Sequence, residues 1–295
     1  MSVRVVRTKD ELRAAVATAR AGGDTIGLVP TMGFLHEGHL SLIRGAAERC
    51  GFVVMTLFVN PAQFGEGEDL NAYPRDEARD LELAADAGAD LVWAPSAAEV
   101  YPPGFTTHVE VQGLTDILCG DPGRRGASHF RGVTTVVAKL LNVVQPDAAF
   151  FGQKDAQQAL VIRRMARDLD FAAEIVVLPT VREPDGLAMS SRNAYLTPDE
   201  RVRAAGLHRA LEAAERAAAD GSSPDEALRL AQSVLADAEI VPEYLEARDA
   251  ESLDEVHHFN GRPVLVALAA RIGRARLIDN VVIEPPEPPG VDTRK

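Results

Sequence analysis

An unbroken apolar run, Ile26-Gly27-Leu28-Val29, leads straight into Pro-Thr-Met-Gly-Phe-Leu-His-Glu-Gly-His-Leu-Ser over residues 30–41, and a stripe of Leu40, Leu42, Ile43, Ala46 and Ala47 follows at once. The run suits a strand covered on both faces and the stripe suits a helix, so the stretch is a strand-to-helix corner. With the buried apolar run over 52–59 that follows, it makes a β-α-β unit. His36 and His39 stand in this corner with Gly38 between them. Free backbone N–H groups and the positive dipole end at a helix N-terminus favour an anion, and a phosphate fits there. A metal is a competing reading of the pair, but a catalytic zinc takes three protein ligands and Glu37 points off the shared helix face. Plain capping or surface histidines are the other.

The strand–helix alternation continues along the chain. Residues 3–6 read as a short strand, Thr8 with Glu11 as a capping box, and the helix from Lys9 stops at Gly22-Gly23. A second buried run over 52–59 ends at Asn60-Pro61. The polar, glycine-bearing stretch 61–71 has no periodicity and is expected as a mobile loop over the C-terminal ends of the strands, where open α/β sheets bind ligands. Gln63 and Phe64 at its base would face that crevice. A helix over 76–87, opened by Pro74 and closed by Gly88, and a strand over 91–94 follow, with a further strand expected over 107–111. Residues 116–131 form a locally basic loop; Arg124 and Arg125 read as solvated, while His129 and Arg131 stay open as contacts to an anion. A helix over 132–144 stops at Pro146.

Residues 148–151 are a strand that runs into Gly152-Gln153-Lys154-Asp155-Ala156-Gln157-Gln158 and a helix to Leu169, a second strand-to-helix corner. Lysine is scarce: only Lys9, Lys139, Lys154 and Lys295 occur among 31 basic residues. A lysine at such a corner supplies a compact point charge for a phosphate. Asp155 either pairs with it or accepts from a ribose hydroxyl, and Gln158 shares their helix face. The strand 174–178 closes the parallel series, and the boundary between a first domain over 1–180 and a second over 181–284 falls in the polar segment that follows. Met189-Ser190-Ser191-Arg192-Asn193 offers hydroxyls and a guanidinium, which hold phosphate or cap a helix. Helices over 198–219 and 223–238 and strands over 243–247, 264–270 and 276–283 make the second domain small and α+β; the Pro-rich residues 285–295 are expected to be disordered.

The net charge of −13 argues against nonspecific nucleic-acid binding, which needs a basic face. No apolar run approaches membrane-spanning length, and charged residues interrupt the N-terminal stretch where a signal peptide would lie. Cys50 and Cys119 have neither CxxC nor His-paired spacing, which fits unpaired thiols in a cytoplasmic protein.

Five motifs in order resemble the pantothenate synthetase (pantoate-beta-alanine ligase) family: Pro-Thr-Met-Gly-x-Leu-His-x-Gly-His from Pro30, Phe-Val-Asn-Pro-x-Gln-Phe from Phe58, Tyr-Pro-Arg from Tyr73, Gly-Gln-Lys-Asp from Gly152 and Met-Ser-Ser-Arg-Asn from Met189. The resemblance spans nearly the whole chain. It implies an α/β fold with a Rossmann-like doubly wound parallel sheet of the HIGH-type nucleotidyltransferase superfamily and a smaller α+β C-terminal domain that covers the nucleotide. It implies joining of pantoate to β-alanine with ATP, through a pantoyl-adenylate, by a homodimer.

The family's ATP contacts fall on Pro30, Thr31, Met32, Gly33, Phe34, Leu35, His36, Glu37, Gly38 and His39, on Gly152, Gln153, Lys154 and Asp155, and on Val181, Met189, Ser190, Ser191 and Arg192. Its pantoate contacts fall on Gln63, which also neighbours β-alanine, and on Gln158. Its proton-donating histidine falls on His39. With His36, Lys154, Ser190, Ser191 and Arg192, His39 forms the expected catalytic set. Mg2+ on the ATP phosphates is implied with no protein ligand assigned. The chemistry agrees, because a carboxylate attacking the α-phosphorus is already ionised and needs alignment and charge stabilisation instead of a general base. An adenylyltransferase that leaves AMP on its product, or a non-catalytic nucleotide-binding module, would use the same first corner.

Overall fold

The computed structural model describes residues 3–65, 70–259 and 261–285. The loop expected over 61–71 lies in part, at 66–69, outside the described residues, as does the expected tail from 286 onward. The chain divides into two compact units, Met1–Val181 with Met189–Ser191, and Arg182–Ala188 with Arg192–Lys295. Met189–Ser191 belongs with the first unit because the Met189 N–H donates to the Val181 carbonyl at 3.0 Å.

The first unit runs β1 (Arg4–Val6), α1 (Lys9–Ala21), β2 (Ile26–Thr31), α2 (Glu37–Arg49), β3 (Phe52–Leu57), α3 (Glu77–Ala87), β4 (Leu91–Trp93), a single turn α4 (Ala97–Val100), α5 (Ala127–Val144), β5 (Ala148–Gly152), α6 (Ala156–Asp168) and β6 (Glu174–Leu178). Its six strands lie in the order β1-β4-β3-β2-β5-β6, every neighbour parallel. Residues on both strand faces are buried. Val29, Met55, Val92 and Phe150 meet Leu42, Ile43 and Ala46 of α2 and Ala84 and Ala87 of α3, while the alternating residues Leu28, Val54, Leu91 and Ala149 are equally buried on the other face. Each fully buried Leu or Ile here contributes about 1.5–3 kcal/mol relative to exposure. Such two-sided burial is why these strands read as unbroken apolar runs.

From β2 the winding proceeds through β3 to β4 on one side, and from β5 to β6 on the other, so the direction reverses between β2 and β5. Ligands bind open α/β sheets at this reversal. β2 pairs with β3 along its whole length, yet with β5 only at Gly27↔Ala148 and Leu28↔Ala149. Beyond those pairs the two strands part, and each ends in one of the two corners.

Several expectations needed correction. Residues 107–111 form no strand: the Val109 N–H and carbonyl are taken by the Thr135 and Thr134 hydroxyls of α5, at 3.0 and 2.6 Å. α5 starts at Ala127, so His129 and Arg131 ride on a helix and not in a loop. Pro74 does not open α3; Asp76 caps it, accepting the Arg79 N–H.

The second unit holds α7 (Pro198–Ala204), α8 (Gly206–Ala219), α9 (Pro224–Asp237) and an antiparallel sheet β7 (Pro242–Asp249), β8 (Val264–Ile272), β9 (Ala275–Ile283). The expected long helix over 198–219 is therefore two. Gly206 opens the second, where a Cβ would stand 2.7 Å from the Ala238 side chain. Leu207, Leu211, Ala231 and Leu235 pack on Val266, Leu268 and Leu277 to form its core. Asp279 of β9, almost wholly buried, receives both guanidinium nitrogens of Arg182 at 2.6 and 3.0 Å.

Candidate active site

The first corner is built by backbone geometry that only certain residues allow. After Pro30 and Thr31 end β2, the chain passes Met32 and turns through Gly33 (φ 89°) and Phe34 (φ 51°), two consecutive left-handed residues. Asp80 of α3, 1 % exposed, accepts the N–H groups of Phe34 and Leu35 with one oxygen each, both at 2.7 Å. Its neighbour Arg79 donates to the Leu35 carbonyl at 3.2 Å and lies over the Phe34 ring. Asp80 is the site residue that sequence reasoning missed. Its signal was its place on the apolar stripe with Ala84 and Ala87.

The turn delivers His36 as the N-cap of α2. His36 Nδ1 accepts the Gly38 N–H at 3.2 Å, and His39 Nδ1 accepts the His36 N–H at 3.3 Å, a reciprocal capping box made of two imidazoles. A Cβ at position 38 would lie 3.0 Å from the His36 ring, so any larger residue there presses on the imidazole. With Nδ1 accepting, each neutral ring carries its proton on Nε2. Burial, reinforced by Lys154 and, for His39, by His36, lowers the pKa of His36 to about 4 and of His39 to about 3. The rings are thus neutral N–H donors at pH 7, with centroids 4.1 Å apart. Glu37, exposed beside them, pairs with Arg44.

The second corner leaves Gly152 at the end of β5 and passes Gln153, Lys154 and Asp155 in one 3-10 turn before α6. Lys154 meets Asp155 at 3.3 Å, and both act electrostatically on His36 and His39, which places the two corners together. Gln157 is pinned elsewhere, donating to the Leu114 and Ile117 carbonyls at 2.8 and 2.7 Å, and Gln158 follows it, half-buried, in α6.

Gln63 sits in a 3-10 turn, Pro61–Gln63, whose N-cap Asn60 is 1 % exposed. Asn60 Nδ2 donates to Gln63 Oε1 at 3.1 Å, so the Gln63 amide nitrogen is the end that reaches Met32 Sδ at 3.3 Å. His129 donates from Nδ1 to the Gln63 carbonyl at 2.8 Å and takes Arg125 on its other nitrogen. Gly132 brings α5 against this turn, since a Cβ there would stand 2.2 Å from the Ala62 carbonyl oxygen. His129 is therefore buried support beneath Gln63, while Arg131 is exposed.

Met189, paired with Val181, lies 3.8 Å from the Cβ position of Gly38, and Ser191 Oγ lies 3.4 Å from the Tyr73 hydroxyl. The structure gathers the first corner, the second corner, Gln63, Val181 and residues 189–191 into one unit; Arg192 belongs to the other unit. Among the described residues no group of three or more His, Cys, Asp or Glu is arranged to hold a metal ion, and both imidazole Nδ1 atoms are committed to the backbone.

The sequence profile of pantoate-beta-alanine ligase matches residues 4–282. The chain belongs to the pantoate-beta-alanine ligase family. The pantothenate synthetase of Moorella thermoacetica is 54% identical over 284 residues, covering 96% of this chain and 99% of that protein. That of Acetivibrio thermocellus is 49% identical, covering 96% and 100%. The crystal structure of the Thermus thermophilus pantothenate synthetase superposes with a TM-score of 0.89 at 48% identity, covering 96% of this chain and 100% of that one. The Francisella tularensis pantoate-beta-alanine ligase, solved with beta-gamma ATP and beta-alanine, superposes with a TM-score of 0.78 at 30% identity over 95% of this chain and 98% of its own. This ligase forms a carbon–nitrogen bond, condensing pantoate with β-alanine at the expense of ATP. Among the described residues no helix is long and apolar enough to cross a membrane.

Proposed function

We propose that the ligase works through a pantoyl-adenylate formed between the two corners. The observation that carries this reading is the pair of neutral imidazoles at the start of α2, each with Nε2–H left to donate, beside Lys154 at the end of the neighbouring strand. A pantoate carboxylate oxygen attacks the α-phosphorus of ATP and pyrophosphate leaves with the electron pair of its bridging oxygen. His36, His39 and Lys154 stabilise the charge that builds on the phosphates. The amine of β-alanine then attacks the carbonyl carbon, AMP departs with the former carboxylate oxygen, and the ammonium proton is lost to solvent. Gln63, its amide oxygen occupied by Asn60, offers N–H donors to pantoate, and Gln158 does so from α6.

In this reading ATP is contacted by residues 30–39, 152–155, Val181, Met189, Ser190, Ser191 and Arg192. The N-terminal domain binds ATP and pantoate. The donor set of N–H, hydroxyl and ammonium groups suits phosphate oxygens, so Mg2+ enters as part of the ATP substrate, held by the phosphates. The working form is a cytoplasmic homodimer.

Pantoate carrying heavy oxygen in its carboxylate tests the path. Mass spectrometry is expected to find labelled AMP and unlabelled pyrophosphate. Unlabelled AMP, or ADP, while amide formation is confirmed, overturns the adenylate route. AMP retained on the final product would mark an adenylyltransferase, and ATP binding without turnover a binding module.

A further inference from the structure

The turn that carries His36 into position has no reason of its own to hold. Gly33 and Phe34 are both left-handed, and for Phe34 that conformation costs of order 1 kcal/mol or more. The two residues lie in no strand or helix, so the amides of Phe34 and of Leu35 after it depend on a partner outside the segment. That partner is on α3. Asp80 binds the N–H groups of Phe34 and Leu35, one per carboxylate oxygen, and Arg79 binds the Leu35 carbonyl and covers the Phe34 ring. A Cβ on Gly33 would stand 2.9 Å from the same Asp80 oxygen and 2.7 Å from Leu57, so the clasp admits glycine alone at that point.

We propose that Asp80, assisted by Arg79, is a positioning residue for adenylate formation: its carboxylate fixes the Gly33–Leu35 turn and so sets where His36 and His39 stand relative to the ATP phosphates. This rests on the reading that the first corner holds ATP. A buried carboxylate with unsatisfied oxygens would be costly, and here both are satisfied by charge-assisted backbone bonds. The pair acts on the backbone and not on the substrate. Its loss therefore displaces the imidazoles without removing them, and a displacement on the order of 1 Å costs up to about a hundredfold in rate.

Asp80→Asn keeps the size but turns one acceptor into an NH2 group facing an N–H. The folded variant is expected to raise KM for ATP and lower single-turnover adenylate formation by about tenfold or more, while KM for β-alanine, measured from preformed adenylate, stays unchanged. Arg79→Ala, at an exposed position that tolerates truncation, is expected to shift the same two quantities in the same direction by about threefold. A merely structural role would lower the melting temperature and leave the kinetics of the folded fraction alone. That result in Asp80→Asn overturns the proposal, and if Asp80→Asn does not fold, unchanged ATP kinetics in Arg79→Ala overturns it. His39→Ala run in parallel separates the levels. If it impairs adenylate formation while Asp80→Asn does not, only the positioning role falls; if neither does, the nucleotide corner falls with it.

Discussion

His39 accepts the backbone N–H of His36 on Nδ1 at 3.3 Å, and this one bond determines which ring nitrogen of His39 faces away from the helix with a proton. The imidazole acts as a neutral donor whose tautomer is set by the main chain, in the way a backbone partner orients a catalytic histidine.

Neutrality has a measurable signature in stability. Both rings have pKa values lowered from 6.5, to about 4 and about 3, mainly by burial. The unfolded chain therefore binds protons below pH 6.5 that the folded one refuses. Stability is unaffected above that value and falls as pH drops from 6.5 towards 3, with a slope up to about 1.4 kcal/mol per pH unit for each ring. Urea melts between pH 7.5 and 4.5 check it, and His39→Gln should reduce the slope. An identical slope in the variant would show that the ring titrates normally.

Lys154→Ala should lower the rate of adenylate formation by about a hundredfold or more with the fold intact, because the ion pair it loses, Lys154–Asp155, is partly exposed and of little structural worth. Single-turnover kinetics with ATP and pantoate read this directly. A wild-type burst would remove Lys154 from the phosphate contacts.

Gly132→Ala places a methyl 2.2 Å from the Ala62 carbonyl oxygen, so α5 and the Pro61–Gln63 turn must separate. Overpacking of this kind costs about 1–3 kcal/mol, and the displaced Gln63 should raise KM for pantoate about tenfold with KM for ATP nearly constant. Equal changes in both constants would mean that the turn does not serve pantoate.

Asp279→Ala leaves the Arg182 guanidinium without its bidentate partner inside the C-terminal unit. Breaking one side of a buried pair costs about 3–5 kcal/mol. Thermal melts should register the loss, and Arg182→Met combined with Asp279→Leu should recover much of it.

The strands at both corners were legible because burial on two faces leaves unbroken apolar runs, as in Ile26 to Val29 and Ala148 to Phe151. The capping box at Thr8 and Glu11 was legible because its chemistry is local. The segment around Val109 was not: its β-branched composition suits a strand, but its backbone partners are hydroxyls a helix away in sequence. The start of α5 leaves no sequence signal, because Gly126 caps it without a side-chain bond. Asp80 is not legible in the sequence, because an acid in an amphipathic helix usually faces water and only the fold brings its stripe position to two donors.

The parting of β2 and β5 after two paired residues leaves the sheet with a seam. Most strands around it share longer ladders, so the cooperativity that makes a sheet open as one body is thinnest here. A ligand lodged between the corners would bridge what the ladder does not, and by mass action its binding energy would add to the cohesion of the sheet. Substrate occupancy and the slowing of hydrogen exchange in the flanking strands then become two readings of one quantity. If the ligand lodges there, this break in the ladder is the place where the protein has most rigidity to gain from it.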